Sequence, residues 1–517
     1  MAMNPRPRDR NKTLLLASLL LGFILVFLDA AAAQEALTLR PAGSPRPLPE
    51  RLLGIQGVSA FYEDLLGDPR KVAMTKELAP AWLRFPGGTV GNYYQWRTGR
   101  LEVPVLPDSS IYTRFMARVA QGTNRLHPRG VFVEDIAAFS RQIGAEIVLV
   151  PNLETSTIEE QAAWFKHLKE AGLAPNRVEL GNEFWIAMLM DPNVVAKFPD
   201  VASAMDLMER YQAAIKPFLP PDTVFAAQHA ASGFLTTQAA AVRNPLLERM
   251  RKWDEELPDR PWYQALTVHF YPEIDEAVGP GASRDLYGRM DRIFPAMMAR
   301  VDEGISGTLD GIEGRFPNKQ IWVTEWNANG VRFLFEQRDP GLTGLMIHLT
   351  ARMTLTFLKH PAVTVSTYHM LSFNGRPYAI FAPKHGAEGF APVGPAVVLR
   401  WFNEAANGGA RYQGVEVAGG RRILSRGVHT GEGYADVAAA FFTKDNRATL
   451  IIHNADPKAR ACQISAFMQG RRPSRIETFD TPNPAKNYAG QSPEVRTLPA
   501  ETTLEVPGLS LTRILWD

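Results

Sequence analysis

One cysteine, Cys462, stands in 517 residues, so no internal disulfide can form and packing must hold the fold together. Long lysine or arginine runs are missing as well, and the formal net charge is only +2, so nucleic acid is not an expected partner. His-Glu-x-x-His, paired-cysteine and EF-hand patterns do not occur, and no metal is expected. Gly87, Gly88 and Gly91 lack dinucleotide-loop spacing and no lysine follows them in phosphate-loop register, so no cofactor is expected either. Internal repeats, low-complexity tracts and coiled-coil heptads are also lacking. What remains is ordinary globular composition, 45% hydrophobic, 21% charged and 10% aromatic. Ten tryptophans and thirteen tyrosines suit a sugar binder, whose ligands stack on aromatic rings, but serve equally well as core.

The N-terminus is basic at Arg6, Arg8, Arg10 and Lys12, then apolar from Leu14 to Leu28, with small residues Ala31 to Ala33 before Gln34. Residues 1–33 therefore read as a secretory signal peptide. Secreted or periplasmic residence is the expectation, and an exported chain without disulfides fits a bacterial envelope. The alternative is a membrane anchor retained at residues 14–28, a run short for about 30 Å of hydrocarbon. Without that anchor, no stable membrane partner is expected.

Residues 34–51 are proline-rich, read as a surface extension with the option of adding a strand to a later domain. From 52 to 406, strand-like runs alternate with helix-like ones. The strands are Gly54–Ala60, Ala81–Phe85, Glu146–Val150, Val178–Gly181, Thr223–Gln228, Ala265–Phe270, Gln320–Thr324 and Val363–Tyr368, with helices such as Val131–Ile143, Thr157–Ala171, Ala202–Phe218 and Gly341–Lys359 between them. Eight such repeats predict a (β/α)8 TIM barrel, whose site lies at the carboxyl ends of its strands. From 407 to 517 the runs become short and alternating, predicting an antiparallel β-sandwich.

Polar and aromatic residues gather at those predicted ends. They are Arg84 after the second strand, Glu154 after the third, Asn182, Glu183 and Trp185 after the fourth, and His229 after the fifth. His269 and Tyr271 follow the sixth strand, Glu325 and Trp326 the seventh, and His369 the eighth. Glu183 and Glu325 each close an apolar run with an aromatic just behind. A carboxylate pair on opposite strands of a barrel suits acid/base and nucleophilic chemistry on a sugar acetal. Arg84 and the Tyr271 hydroxyl are placed to hold Glu325 ionised, and Trp185 to desolvate Glu183.

Asn182-Glu183, His269-Phe270-Tyr271 and Glu325 together resemble the signature of glycoside hydrolase clan A, retaining glycosidases on a TIM barrel. Arg84-Phe85-Pro86-Gly87-Gly88, Glu325-Trp326-Asn327 and the trailing sandwich are similar to the α-L-arabinofuranosidase family. Glu179-Leu180-Gly181-Asn182-Glu183, Gly87-Gly88-Thr89 and the run Leu399 to Glu404 resemble the β-glucuronidase and heparanase family instead. Thr89 departs from the asparagine that follows the paired glycines in arabinofuranosidases. The resemblance implies Glu183 as general acid/base and Glu325 as nucleophile, with Asn182 on the sugar hydroxyl beside the anomeric carbon. It implies an exported enzyme cleaving polysaccharide or oligosaccharide. A glycan-binding barrel without catalysis, or a transglycosidase on the same residues, are the alternatives.

Overall fold

The computed structural model describes residues 36–189, 192–231, 245–279, 281–282, 288–327, 343–371, 379–383, 390–392, 394–428, 431–468, 470–486, 488, 491–496 and 502–517. The proposed signal peptide, and with it the anchor alternative at 14–28, lies outside them. No helix among the described residues is long and apolar enough to cross a membrane.

Eight parallel strands close into a barrel in sequence order: β1 (Leu53–Gln56), β2 (Trp82–Phe85), β3 (Glu146–Leu149), β4 (Arg177–Glu179), β5 (Val224–Gln228), β6 (Ala265–Phe270), β7 (Gln320–Trp326) and β8 (Val363–Tyr368), with β8 pairing back to β1. Inward residues Trp82, Val148, Ala226, Ala265, Trp322 and Val365 fill the lower interior as a small separate core. Outward residues such as Val178, Val268, Phe270 and Val323 join the larger core beneath the helices. Alternation along each strand thus packs both faces of the sheet.

The helices begin and end where local chemistry dictates. Thr157 accepts the Glu160 N–H at the start of Ile158–Glu170, and Gly144 closes Val133–Ile143 in the left-handed region at φ 77°. One strand differs from its sequence reading. The run Gly54–Ala60 is extended only as far as Gln56, because Ser59–Tyr62 turns helical.

The second unit is a nine-stranded sheet, and Leu37–Pro47 belongs to it. That segment pairs antiparallel with Arg411–Ala418 along most of its length, and parallel with Arg460–Gln463 only at Leu37 and Thr38. Its other edge is therefore open beyond Thr38, which is where Pro41, Pro45 and Pro47 can lack N–H groups without breaking a ladder. Leu37, Leu450, Leu504, Val506, Ile514 and Trp516 come from distant parts of the strand order yet share one core, so the sheet folds over itself as a sandwich. Barrel and sandwich meet through His348 on helix Thr343–Lys359, whose Nδ1 lies 2.8 Å from Nε2 of His453.

Candidate active site

Strand β2 delivers Arg84, fully buried, into the barrel mouth. Its Nε and Nη2 donate to the two oxygens of Glu179, at 2.6 and 2.7 Å, a bidentate pair at the end of β4. The remaining nitrogen, Nη1, donates to Glu325 Oε1 at 2.6 Å, and Nη2 also reaches Asn182 Oδ1 at 2.9 Å. The other oxygen of Glu325 accepts the Tyr271 hydroxyl at 2.5 Å. Both contacts expected to fix this carboxylate are present.

A bulge aims Glu325 inward. Val323 lies opposite Val268 and Glu325 opposite His269, so Thr324 is an extra residue on β7 facing no partner of its own on β6. That insertion resets the alternation. Thr324 and Glu325 consequently both reach the interior, and Trp326 turns outward. Trp326 is 1% exposed and lies edge-on to Phe357 and Tyr368, at centroid distances of 5.1 and 4.9 Å. The sequence expectation that it binds substrate is corrected, since it is core.

Glu183 follows β4 with φ 53°, a left-handed conformation that non-glycine residues seldom adopt and that tends to persist where function holds it. Its Oε1 lies 2.8 Å from His269 Nδ1. On the far side, His269 Nε2 is 3.2 Å from the Thr324 hydroxyl, which itself donates to Glu179 Oε1. Thr324 has spent its proton there, so Nε2 must donate. Burial opposes charge on His269, but Glu325, Glu179 and Glu183 prevail and raise its pKa to about 10. Burial likewise opposes ionisation of Glu325, and the charges of His269 and Arg84 overcome it, holding that group far below the usual carboxylate range.

One ligand atom from each of Glu183, His269 and Glu325 lies within 4.8 Å of the others. That spacing could in principle cradle a cation. A protonated imidazole is no ligand, however, and Arg84 already neutralises Glu325.

The other expected residues divide. His369 sits edge-on to the Tyr271 ring at 6.0 Å, and burial lowers its pKa to about 4 although Glu325 pulls upward. Glu154 is buried near the mouth, where its backbone carbonyl accepts from Lys197. Trp185 packs against the hydrophobic core with part of its surface open. His229 does not join the cluster. Its Nδ1 accepts the Ala231 N–H, and its further contacts are with Asp254 and Phe316.

Sequence reasoning gave no site role to Glu179, Thr324, Gly88 or Tyr112. Gly88 has φ 61°, a conformation that favours glycine, and a Cβ there would lie in ordinary contact, 3.4 Å, with Glu325 Oε1.

Solved structures share this architecture. A GH51 arabinofuranosidase from Xanthomonas axonopodis pv. citri superposes with TM-score 0.62 at 15% identity, covering 93% of this chain and 99% of that one. A family 51 α-L-arabinofuranosidase from Bifidobacterium longum gives 0.64 at 14%, with coverage of 93% and 99%. A GH30 endoxylanase from Clostridium papyrosolvens gives 0.50 at 13%, again with 93% and 99%. The fold, a (β/α)8 barrel with a β-sandwich, is the one these enzymes have. No protein-family model matches the chain, and no curated protein matches it. At such identities the likeness establishes the shared fold, and the chemistry has to be argued from the side chains.

Proposed function

We propose that the chain is an exported retaining glycoside hydrolase, with Glu325 as nucleophile and Glu183 as general acid/base. One observation carries the reading: these carboxylates, from the ends of β4 and β7, bring oxygens within 4.8 Å of one another. Retaining enzymes hold their two carboxyl groups about 5 to 5.5 Å apart, and inverting ones about 6.5 to 9.5 Å. The spacing has no room for an interposed water, which favours attack by the carboxylate itself.

Each surrounding group then has a task. Arg84 and Tyr271 keep Glu325 ionised and orient its two oxygens, one of which attacks the anomeric carbon. His269 Nδ1–H occupies Glu183 Oε1, leaving Oε2 to carry the proton given to the leaving oxygen. Arg84 and His269 balance Glu179 and Glu325, so a proton on Glu183 leaves the cluster without net charge. Arg84 takes Asn182 Oδ1, which turns the amide NH2 to donate to a sugar hydroxyl. In the second half of the reaction Glu183 accepts a proton from water, which then hydrolyses the glycosyl–Glu325 ester.

The test is turnover of an aryl glycoside panel. Glu325→Gln should lose at least about a thousandfold in kcat while still folding, since the change is nearly isosteric. Glu183→Ala should retain activity on substrates with good leaving groups and gain rate with azide. Full activity in Glu325→Gln would overturn the assignment.

A further inference from the structure

Gly88 places the backbone against Glu325, and the next residue, Thr89, is partly exposed at the open side of the same turn, Gly88–Gly91. Tyr112 comes to it from helix Ile111–Leu126, where Ser110 accepts the Thr113 N–H and fixes the first turn. Its neighbour Ile111 points outward, 86% exposed, while Tyr112 turns in and donates its hydroxyl to Thr89 Oγ1 at 2.9 Å. Three carboxylates act on it through their charge. Burial raises the Tyr112 pKa, Thr89 works against that rise, and Glu183, Glu154 and Glu325 add to it.

Proton bookkeeping fixes what the pair can offer. Tyr112 has one hydroxyl hydrogen and gives it to Thr89, so its oxygen presents lone pairs alone. Thr89 accepts that hydrogen and so keeps its own free to donate. We propose that Thr89 and Tyr112 read the sugar held between Glu183 and Glu325, offering one donor and one acceptor side by side to a single sugar hydroxyl. A hydroxyl both donates and accepts, and so satisfies both. A uronic acid carboxylate only accepts: it would leave the Tyr112 lone pairs unmet and would stand among Glu154, Glu183 and Glu325. The pair therefore selects a neutral glycoside over a glucuronide. This inference rests on the glycosidase reading, and deepens it by naming the substrate class.

The experiment uses the full chain, with Tyr112→Phe, Thr89→Val and the double variant, on aryl glycosides of neutral sugars, their deoxy analogues and the glucuronide. Each single variant should lower kcat/KM about tenfold on its neutral substrate, the size of one lost hydrogen bond. The effect should appear mainly in KM, beyond the small midpoint loss expected from deleting the Tyr112–Thr89 hydrogen bond itself, and should vanish on the analogue lacking the hydroxyl that is read. A helix tie with no substrate role would act equally on the neutral substrate and its deoxy analogue. Preference for the glucuronide, or three variants equal to the parent, would overturn the proposal while leaving Glu183 and Glu325 in place. Calorimetric binding of free neutral sugar and free uronic acid to Glu325→Gln decides it without turnover. Tighter binding of the neutral sugar, weakened by adding Tyr112→Phe, supports the pair; tighter binding of the uronic acid contradicts it.

Discussion

Two of the buried polar clusters that contain histidine, one at the barrel mouth and one at the seam, resolve burial in opposite ways. At the barrel mouth His269 stands among Glu179, Glu183 and Glu325 and is held protonated, its pKa raised to about 10. At the seam between barrel and sandwich, burial lowers His348 to about 3, and His453 falls well below its ordinary value. The seam is a neutral relay. Thr481 donates its hydroxyl hydrogen to the Leu509 carbonyl, so His348 Nε2 must donate to Thr481; Nδ1 must then accept from His453 Nε2. His453 Nδ1 is left as a buried lone pair with no hydrogen-bond partner among the described residues. Arg352 lies close enough to disfavour charge on both rings. The lesson is that carboxylates decide: where they converge, histidine is a fixed cation, and where only hydroxyl and ring nitrogens meet it, histidine is a fixed dipole.

The contrast breaks most visibly at Arg84. Arg84→Met strands Glu179 and Glu325 as uncompensated buried charges, and should cost about 3 to 5 kcal/mol in urea denaturation with loss of measurable turnover. Equal stability of that variant would mean that the cluster is not held by charge.

A smaller effect separates the two histidine environments by pH. Folding opposes protonation of His348, so its contribution is intact above the unfolded value near 6.5 and is lost as pH falls toward 3. Folding favours protonation of His269, so its contribution is complete below about 6.5 and is lost as pH rises through 10. Parent and His348→Gln should therefore converge in stability toward acid, and parent and His269→Gln toward alkali. The slope is at most about 1.4 kcal/mol per pH unit for each. Denaturant midpoints from pH 4 to about 10 read both slopes, and identical slopes for the two variants would erase the distinction.

Much of the barrel was legible in the sequence, because eight apolar runs spaced by helical stretches leave few other topologies. The positions of Glu183 and Glu325 were legible for the same reason, each lying at or just after a strand end. What escaped was whatever depends on departures from regular alternation. The bulge at Thr324 has no sequence signature, so Trp326 was expected in the site when Thr324 and Glu325 turn inward instead. Glu179 stood in a motif beside Asn182-Glu183, but only the short β4 and the left-handed step at Glu183 show it facing Arg84. Tyr112 lies 23 residues beyond Thr89, on a helix that strand-end reasoning does not reach. His229 fails for the opposite reason: it does follow a strand, but the chain turns it toward Asp254.

The most direct measurement is to locate a trapped sugar. Incubation with an activated 2-deoxy-2-fluoro aryl glycoside that slows breakdown of the intermediate, followed by intact-mass and peptide mass spectrometry, should find one sugar esterified to Glu325. No adduct in Glu325→Gln is the matching control. A sugar on another residue, or turnover that releases the inverted anomer without any adduct, would contradict a double displacement between Glu183 and Glu325.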